Sequence, residues 1–326
     1  MNKNLKINTE NLQIFKKFLE EKPKLLILSH ANPDGDTTGS SMGLYLGLKQ
    51  LNLDVSLACI DEIPRNFRFM TPWKEYKQDF NSDDYDAIIF MDCGDKRMTK
   101  FHETKPEILT NKTFKINFDH HPTNDLFGEI NFVNTEACST CAITFEVLKK
   151  LEIKITPEIA TCLLFGLYTD TGGFIHQNTK PFTYQAASEL VKAGGNISKI
   201  SRNFFYNHEL KKFKLWGKVL KNLHITEDGA AIIGVYRQDY ESMGATRQDL
   251  GGIIDIISSI ENVKYSVMLS EDEKNNVKAS LRTRRDDVDV KALAEKYGGG
   301  GHVKASGFTV PNGHLKKVVK WKIVQD

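Results

Sequence analysis

The chain has almost no excess of charge of either sign. Its 326 residues include 44 Lys and Arg against 42 Asp and Glu, which gives a formal net charge of +2. So small a charge creates no long-range field that would draw the protein onto long nucleic-acid duplexes or anionic membranes. We therefore expect any anionic ligand to be bound by a local cluster of residues.

Cysteine is scarce as well. The chain has 5 cysteines, an odd number, and in a sequence of this length they do not suggest a framework of disulfide bonds. Cys138 and Cys141 form a single CxxC pair, but no second cysteine pair and no nearby histidine completes a zinc site. We interpret these two cysteines as small core residues on a helix.

Long hydrophobic segments are also missing. No run approaches the ~18 apolar residues of a membrane-spanning helix, and the mixed-charge segment MNKNLKINTENLQIFKKFLEEKPK has no apolar region like that of a signal peptide. The hydrophobic content of 40% is typical of a globular protein, and at roughly 150 residues per domain the length indicates two domains. We expect a cytoplasmic protein without a membrane partner.

The first part of the chain alternates between strand-like and helix-like segments. Strand-like segments occupy 24–29, 54–60, 85–92 and 112–121, and the last of them has alternating apolar residues before a polar end. Helical spacing, or helix start and stop signals, marks 37–52, 156–174 and 181–193. Strands separated by helices predict an α/β fold with a doubly wound, mostly parallel sheet.

The pattern changes after residue 195. Residues 196–212 belong to an amphipathic, helix-like stretch, and short strands follow at 230–236, 263–269 and 276–282, mixed with helices at 246–260 and 289–296. We therefore predict a first domain at 1–195, a helical connector at 196–212 and a smaller α+β domain at 213–326.

Three of the predicted strands end in potential metal ligands. His30, Asp34 and Asp36 follow the first strand, Asp92 follows the third, and Asp119–His121 follow the fourth. Because ligands of open parallel sheets bind at the carboxyl ends of the strands, we expect these side chains to converge.

Each of these motifs has an ordinary explanation when it is taken alone. Asp-Gly-Asp is often a turn, His120 and His121 could be a pair at a strand end, and Asp92 and Asp170 could be caps. Taken together, the carboxylates have hardly any basic residue beside them in the sequence and would repel one another. A divalent metal ion would supply the missing positive charge.

The ligand types narrow the choice of metal ion. Histidine and aspartate together suit Mn²⁺, Fe²⁺, Co²⁺ or Zn²⁺ better than Ca²⁺, and the lack of thiolate ligands argues against structural zinc. Six or so ligands are too many for one ion with open positions. Two ions ~3.5–4 Å apart that share a carboxylate are used for displacement reactions at phosphorus.

The motifs resemble those of the DHH phosphoesterase family, which also contains the family II inorganic pyrophosphatases and single-strand exonucleases. The similar segments are HANPDGDTTGS (30–40), MDCGD (91–95), FDHHP (118–122) and YTDTGGF (168–174), in the family's order. Near the end, KASLRTR (278–284) and YGGGGHVKASGF (297–308) resemble the associated DHHA1 domain. The likeness covers most of the chain and is greatest to oligoribonucleases (nano-RNases) and pAp phosphatases of the NrnA type.

The resemblance implies a two-metal catalytic site in the first domain. The implied metal ligands are His30, Asp34, Asp36, Asp92, His120 and Asp170. Asp92 would bridge the two ions, His121 would face the scissile phosphate, and Asp119 would orient the histidine pair. Mn²⁺ is the expected metal, with Mg²⁺, Co²⁺ and Fe²⁺ as alternatives.

The DHHA1 likeness implies a nucleotide-binding site in the second domain. Its implied residues are Arg282, Thr283, Gly298, Gly299, Gly300, Gly301 and His302. A run of glycines lets backbone N–H groups approach an anion closely, and an arginine binds phosphate through two parallel hydrogen bonds. A flexible turn would explain the glycines equally well if they stood alone.

The resemblance predicts an enzyme with its active site in a cleft between the two domains. The expected reactions are hydrolysis of short oligoribonucleotides to mononucleotides and removal of the 3′-phosphate of pAp, by a water activated between two metal ions. Alternatives are a phosphodiesterase for cyclic-di-AMP or its linear product pApA, a pyrophosphatase or exopolyphosphatase, and a non-catalytic nucleotide sensor. The expected partners are short single-stranded RNA, pAp and pApA, and a homodimer is left open.

Overall fold

The computed structural model describes residues 5–110, 113–206 and 209–317. The chain divides into two compact units, residues 1–207 and 208–326. None of the helices in the described part of the chain has the length and hydrophobicity to cross a membrane.

The first unit is built on a parallel sheet of 6 strands. The strands are, in chain order, β1 (Leu25–Ser29), β2 (Val55–Ala58), β3 (Tyr76–Lys77), β4 (Ala87–Met91), β5 (Phe114–Asp119) and β6 (Ile130–Val133). They lie in the spatial order β3-β2-β1-β4-β5-β6, and each neighbouring pair is parallel. The sequence predicts β1, β2, β4 and β5 but neither of the edge strands β3 and β6.

Both faces of this sheet are buried. Leu25 and Ile27 of β1 belong to a large core that also contains residues of the helices, whereas Leu26 and Leu28 point into a smaller core on the opposite face. Residues between 80 and 109, a segment with short 3-10 helices, cover that second face. Because both faces are buried, the central strands are unbroken apolar runs instead of alternating ones.

The α-helices of the first unit pack against the large core. They are, in chain order, α1 (Thr9–Glu20), α2 (Gly35–Lys49), α3 (Thr140–Lys150), α4 (Pro157–Asp170), α5 (Pro181–Lys192) and α6 (Ile197–Ser201). Asp34, Ser139 and Thr156 cap the first backbone N–H groups of α2, α3 and α4. Ile200 of α6 is fully buried in the core of this unit, so the start of the segment predicted as a connector packs here.

Glycines allow α2 to pack unusually close to its neighbours. Glycine occurs at every fourth residue of α2, at 35, 39, 43 and 47. A Cβ atom on Gly39 would lie 2.5 Å from the backbone oxygen of Cys162 in α4. From the α4 side, a Cβ atom on Gly166 would lie 2.2 Å from Cys141 Sγ and 2.8 Å from Asp36 Oδ1. These contacts bring the first turn of α2 directly beside α3 and α4.

The two cysteines of the CxxC pair are buried, and the described cysteines are all free thiols. Cys141 lies in the first turn of α3, and Cys138 lies just before the cap of that helix. The prediction of core residues is therefore confirmed, although Cys138 precedes the helix.

The second unit contains a mixed sheet of 6 strands. Its strands are β7 (His224–Ile225), β8 (Ala230–Val235), β9 (Tyr265–Glu271), β10 (Val277–Arg282), β11 (Gly300–His302) and β12 (Ala305–Val310). Its helices are α7 (Leu210–Leu220), α8 (Arg237–Glu241), α9 (Ile253–Ile257) and α10 (Val290–Glu295). The strands lie in the spatial order β11-β12-β10-β9-β8-β7. Among the described strands of this second sheet, β8 and β9 are parallel and the other neighbouring pairs are antiparallel. The α/β first unit and the α+β second unit confirm the predicted fold class.

One predicted helix of the second unit is broken. The segment 246–260 forms a 3-10 turn at Arg247–Leu250 and then α9, with two glycines between them. Gly252 has a φ of 93°, a left-handed conformation that cannot continue a right-handed helix. Periodicity alone did not reveal this break.

Candidate metal centre

The candidate metal ligands gather at the carboxyl edge of the parallel sheet. The strand order reverses between the neighbours β1 and β4, and open α/β sheets bind ligands at such a switch point. His30 directly follows β1, and Asp92 directly follows β4. Asp119 is the last residue of β5, and His120 and His121 come immediately after it.

Asp92 lies in the middle of this group. Its backbone has a φ of 59°, which is uncommon outside glycine, and its N–H donates to the Phe118 carbonyl of β5 over 2.8 Å. Asp92 Oδ2 lies 3.5 Å from His30 Nε2, and Oδ1 lies 3.6 Å from His120 Nε2. The Thr140 hydroxyl donates to Oδ1 over 2.9 Å. The two oxygens of one carboxylate therefore face two different histidines.

His30 and Asp34 form one side of the site. His30 Nδ1 lies 2.9 Å from the Ala31 carbonyl oxygen, which can only accept a hydrogen bond. Nδ1 therefore donates this hydrogen bond, and a metal ion can take the place of the proton on Nε2. Asp34 Oδ1 lies 3.7 Å from His30 Nε2 and accepts the backbone N–H groups of Asp36 and Thr37 over 3.0 Å each.

Asp36 and Asp170 form the other side, next to His120. His120 Nε2 lies 3.8 Å from Asp36 Oδ2 and 3.7 Å from Asp170 Oδ2. The buried Asp36 carboxylate accepts the backbone N–H groups of Thr140 and Cys141 over 2.6 and 2.9 Å. These N–H groups are the first two of α3, so the positive end of the helix dipole holds this carboxylate in place.

A chain of hydrogen bonds orients His121. Its Nδ1 donates to Asp119 Oδ1 over 2.6 Å, and Asn124 Nδ2 donates to Asp119 Oδ2 over 2.6 Å. Asn124 Nδ2 also lies 2.7 Å from Asn117 Oδ1. Burial alone would lower the pKa of His121, but the hydrogen bond to Asp119 and the charge of Asp92 raise it to about 9.

The buried carboxylates carry uncompensated charge. Burial, followed by the charges of Asp92 and Asp170, raises the pKa of Asp36 well above its ordinary value. Burial and the charge of Asp92 also raise the pKa of Asp170. Burial opposes ionisation of Asp92 too, but the hydrogen bond from His30 and the charge of His120 outweigh it and lower its pKa. In the described part of the chain, no lysine or arginine pairs with these three carboxylates.

The donor atoms form overlapping groups that fit divalent cations. The groups are His30 with Asp34 and Asp92, Asp36 with His120 and Asp170, and Asp92 with His120 and His121, and the donor atoms of each group lie within 4.8 Å of one another. Asp92 and His120 each belong to two groups. Imidazole and carboxylate donors suit ions of the Mn²⁺ type, and such an ion would supply the charge that the carboxylates lack. The six predicted ligands therefore lie together.

Two of the residues predicted to bind nucleotide lie in one row across the second sheet. Arg282 at the end of β10 and His302 at the end of β11 both pair with Ala305 of β12, which lies between them. Directly opposed residues of neighbouring strands share a face, and two strand spacings are roughly 10 Å. Arg282 Nε lies 3.4 Å from Asp255 Oδ1, and both side chains are partly exposed.

The glycine run forms a turn and the exposed edge strand β11. Gly298 and Gly301 have φ angles of 73° and 132°, which other residues rarely adopt. A Cβ atom on Gly299 would lie 2.2 Å from the Gly307 carbonyl oxygen. No atom lies within 4 Å of a Cβ atom built on Gly300, so a ligand can approach the backbone there.

Thr283, the residue that follows β10, has its hydroxyl hydrogen-bonded within the protein. Its side chain is buried, and its hydroxyl donates to the Lys264 carbonyl over 2.6 Å and accepts the Arg285 N–H over 3.1 Å. The hydroxyl therefore holds the turn after β10, and a direct contact of Thr283 with a nucleotide stays a prediction. Burial of this hydroxyl was not visible in the sequence.

Comparison with known proteins identifies the family. A protein of Thermus thermophilus named bifunctional oligoribonuclease and PAP phosphatase NrnA is 30% identical over 289 residues, which are 88% of this chain and 84% of that protein. The model described as DHH family, N-terminal domain, matches residues 24–167, and the model of the DHHA1 domain matches residues 231–321. The chain belongs to the DHH family. It is therefore a metal-dependent phosphoesterase, a hydrolase.

Two further similar proteins support the assignment of this chain to the DHH family. A Bacillus subtilis protein that is also named bifunctional oligoribonuclease and PAP phosphatase NrnA is 25% identical over 88% of this chain and 89% of its own. The crystal structure of an exopolyphosphatase-related protein from Bacteroides fragilis superimposes with a TM-score of 0.86 and 29% identity, covering 93% of this chain and 91% of that one. The predicted family is thus confirmed over most of the chain.

Two residues at this DHH site were missed by sequence reasoning. Thr140 contacts Asp36 and Asp92, and Asn124 contacts Asp119. Ser139 and Thr140 have the composition of a helix start, which could have predicted the helix N-terminus but not its carboxylate partners. The contact of Asn124 with Asp119 depends on the turn that follows FDHHP, for which the sequence has no periodic signal.

Proposed function

We propose that this phosphoesterase hydrolyses very short oligoribonucleotides to mononucleotides and removes the 3′-phosphate of pAp. The main support is the set of three donor groups at the switch point of the sheet, which are linked through Asp92 and His120. The similarity to two relatives named for both activities over 88% of this chain points to these substrates.

The proposed metal ligands divide into two sets with Asp92 between them. His30 and Asp34 would bind one ion together with Asp92 Oδ2, which lies toward His30. Asp36, His120 and Asp170 would bind the other ion together with Asp92 Oδ1, which lies toward His120. We propose Mn²⁺ as the resident ion, with Mg²⁺, Co²⁺ and Fe²⁺ as the alternatives to be compared.

Two ions bound in this way would promote the ionisation of a water molecule and neutralise charge on the phosphoryl oxygens. The protein's own residues then have separate tasks. Asp92 turns one carboxylate oxygen toward His30 and the other toward His120, so that each oxygen faces one of the two ligand sets. His121 is held by its 2.6 Å hydrogen bond to Asp119, and we propose that its Nε2 donates to a phosphoryl oxygen at the reacting phosphorus.

The second unit would bind the part of the substrate that is not cleaved. We propose that Arg282, His302 and the backbone of Gly298–Gly301 bind a terminal phosphate. The support is the alignment of Arg282 and His302 with Ala305 and the accessible backbone at Gly300. Thr283 would hold the turn that carries Arg282.

Two further candidates use the same metal centre. Cleavage of pApA or cyclic-di-AMP would require the same chemistry as cleavage of a dinucleotide. Hydrolysis of polyphosphate is suggested by the name of the Bacteroides fragilis protein with the TM-score of 0.86. Because the proposed substrates arise in the cytoplasm, we propose that compartment for the enzyme. Homodimer formation stays a prediction.

The deciding experiment measures product release by the purified full-length protein. The substrates are pAp, a 5′-phosphorylated RNA dinucleotide, pApA, a 24-mer RNA, pyrophosphate and polyphosphate, each with Mn²⁺ and with the other three ions. We expect rapid release of AMP or mononucleotides from the short nucleotides, and no turnover by Asp92→Asn. Turnover of polyphosphate or pyrophosphate alone would contradict the proposed substrates, and normal turnover by Asp92→Asn would contradict the metal centre.

A further inference from the structure

An exposed aromatic residue and an exposed apolar residue lie on the loop that follows the proposed ligand Asp170 and on the next helix. They are Tyr184 in the first turn of α5 and Ile175 in the loop that follows α4. Tyr184 is 55% exposed and Ile175 is 75% exposed. Single exposed apolar residues are common on proteins. A binding role for this pair therefore depends on how the surrounding residues hold it.

The loop that carries Ile175 has an unusual backbone. Gly172, Gly173 and Phe174 have consecutive φ angles of 58°, 72° and 68°. For a bulky aromatic residue such as Phe174 this left-handed conformation is an outlier that has to be held by its surroundings. The Thr171 hydroxyl oxygen accepts the Phe174 N–H over 3.0 Å and holds the turn.

The same loop is fastened to the metal centre. Asn178 Nδ2 donates to the carbonyl of the proposed ligand Asp170 over 3.2 Å and to the carbonyl of Cys138 over 3.1 Å. Cys138 lies two residues before Thr140, and the Thr140 hydroxyl donates a hydrogen bond to Asp92. One amide side chain therefore ties the loop both to the end of α4 and to the segment that orients the central carboxylate.

Phe174 holds the ring of Tyr184 in place. The two ring centroids are 5.7 Å apart with an angle of 31° between the rings, and Tyr168 packs edge-on against Phe174 at 5.8 Å. The Tyr184 hydroxyl donates to the Phe174 carbonyl over 3.4 Å. The tyrosine ring is thus supported from behind and anchored at its polar end, while more than half of the side chain stays open to solvent.

We propose that Tyr184 and Ile175, supported by Phe174, bind the nucleobase of the nucleotide whose phosphate lies at the metal centre. This inference rests on the proposed function. A flat, uncharged base suits an immobilised aromatic ring next to an aliphatic side chain, and stacking tolerates any base. An enzyme that degrades short oligonucleotides of every sequence needs a site of this kind close to the phosphate, without hydrogen bonds that select one base.

The test compares dinucleotides with and without each base. The substrates are a 5′-phosphorylated RNA dinucleotide and two analogues, each with an abasic ribose at one of the two positions. We expect Tyr184→Ala to raise KM for the intact dinucleotide by roughly 5- to 100-fold, as stacking interactions do, with little change in kcat. For one abasic analogue the variant and the wild type should have the same KM, because the base that would stack is missing.

Two further variants exclude a general structural effect. Tyr184→Phe keeps the ring and loses only the hydroxyl, so its KM should stay within about twofold of the wild-type value, and Ile175→Ala should raise KM in the same base-dependent way. An equal rise of KM for the intact and both abasic dinucleotides, or no rise at all, would overturn the inference. If the wild type hydrolyses none of the dinucleotides but cleaves polyphosphate, the proposed function fails instead.

Discussion

The hydroxyl of Thr140 donates a 2.9 Å hydrogen bond to Asp92 Oδ1. Asp92 is the carboxylate that lies between the two sets of proposed metal ligands, and the same threonine donates its backbone N–H to Asp36. A single residue at the start of α3 therefore orients two buried carboxylates. Residues of this kind make hydrogen bonds to the ligands and do not touch the metal. Their replacement commonly lowers metal affinity by roughly 10- to 100-fold.

Replacement of Thr140 by valine should weaken metal binding. Thr140→Val keeps the shape of the fully buried side chain but removes the donor to Asp92 Oδ1. We expect the dissociation constant for Mn²⁺ to rise by roughly 10- to 100-fold, measured by calorimetric titration of the metal-free protein. Thr140→Ser, which keeps the hydroxyl, should bind Mn²⁺ nearly as tightly as the wild type. Wild-type affinity in Thr140→Val would show that this hydrogen bond does not matter for the metal.

Replacement of Asn124 should slow the reaction without loss of metal. Asn124 holds Asp119 Oδ2, and Asp119 Oδ1 holds the His121 ring, so Asn124→Ala should let that ring turn away from the phosphate. We expect kcat to fall by roughly 10- to 100-fold while the Mn²⁺ affinity changes little. Asn131→Ala is the matched control, because Asn131 makes its hydrogen bonds to Gly128 and Leu126 instead. A Mn²⁺ affinity that falls together with kcat would argue for a structural role.

The parts of this site that could be predicted are those that a short, continuous stretch of sequence reveals. His30 and Asp92 directly follow the apolar runs of β1 and β4, and a buried parallel strand gives such a run wherever it occurs. Their convergence then follows from the rule that parallel sheets bind ligands at their carboxyl edge. Asp170 ends a helix and not a strand, and it was predicted as a ligand only through the resemblance to the DHH family.

The parts that could not be predicted depend on contacts between distant segments. Thr140 is 104 residues from Asp36 and 48 residues from Asp92 along the chain, and no periodic pattern joins these positions. The hydrogen bond from the Thr283 hydroxyl to the Lys264 carbonyl is of the same kind, because it joins two separate segments of the chain. The two-residue strand β3 is too short to give any hydrophobic pattern.

The charge of Asp170 should destabilise the metal-free protein. Burial and the charge of Asp92 raise its pKa in the folded state. A raised acid pKa costs no stability below the ordinary value of ~4, and the loss is complete once the pH exceeds the raised value. In EDTA at pH 8, Asp170→Asn should therefore be more stable than the wild type by about 1–2 kcal/mol, and this difference should vanish near pH 4.

Addition of Mn²⁺ should reverse the order of these two proteins. The ion binds the folded protein and not the unfolded chain, so it raises the free energy of unfolding, and more so the tighter it binds. Asp170→Asn has lost a ligand, so its free energy of unfolding should rise less. Thermal unfolding with EDTA and with Mn²⁺, at both pH values, provides the measurement. If metal-free Asp170→Asn is less stable than the wild type at pH 8, the Asp170 carboxylate stabilises the metal-free fold. Repulsion between Asp170 and Asp92 would then not be the dominant effect.

Removal of Arg282 should affect substrate binding and not the chemical step. Arg282→Ala should raise KM for pAp and for the RNA dinucleotide by roughly tenfold or more, because a charged hydrogen bond to phosphate is lost, while kcat stays the same. Arg285→Ala is the control, since Arg285 pairs with Asp287 at the surface. Steady-state kinetics on both substrates, with Mn²⁺, gives the comparison. A fall in kcat at unchanged KM would place Arg282 at the reaction instead of the terminal phosphate.

Close packing at Gly39 should be necessary for the metal centre. An alanine Cβ at this position would lie 2.5 Å from the Cys162 backbone oxygen, so α2 would have to move away from α4. Gly39→Ala should lower the free energy of unfolding by roughly 1–3 kcal/mol, although alanine favours helix formation. Because α2 carries Asp36 in its first turn and α4 ends at Asp170, the same shift should separate two metal ligands and weaken Mn²⁺ binding.

Gly217→Ala is the matched control, because Gly217 also lies within a helix, α7, but a Cβ atom there would meet no atom within 4 Å. It should raise the free energy of unfolding by about 0.5–1 kcal/mol through helix propensity alone and leave Mn²⁺ binding unchanged. Denaturant unfolding and Mn²⁺ titration of both variants separate the two effects. If Gly39→Ala behaves like Gly217→Ala, the contact between α2 and α4 can relax without cost, and the spacing of Asp36 and Asp170 must then be maintained by the hydrogen bonds of Asp36 to the start of α3.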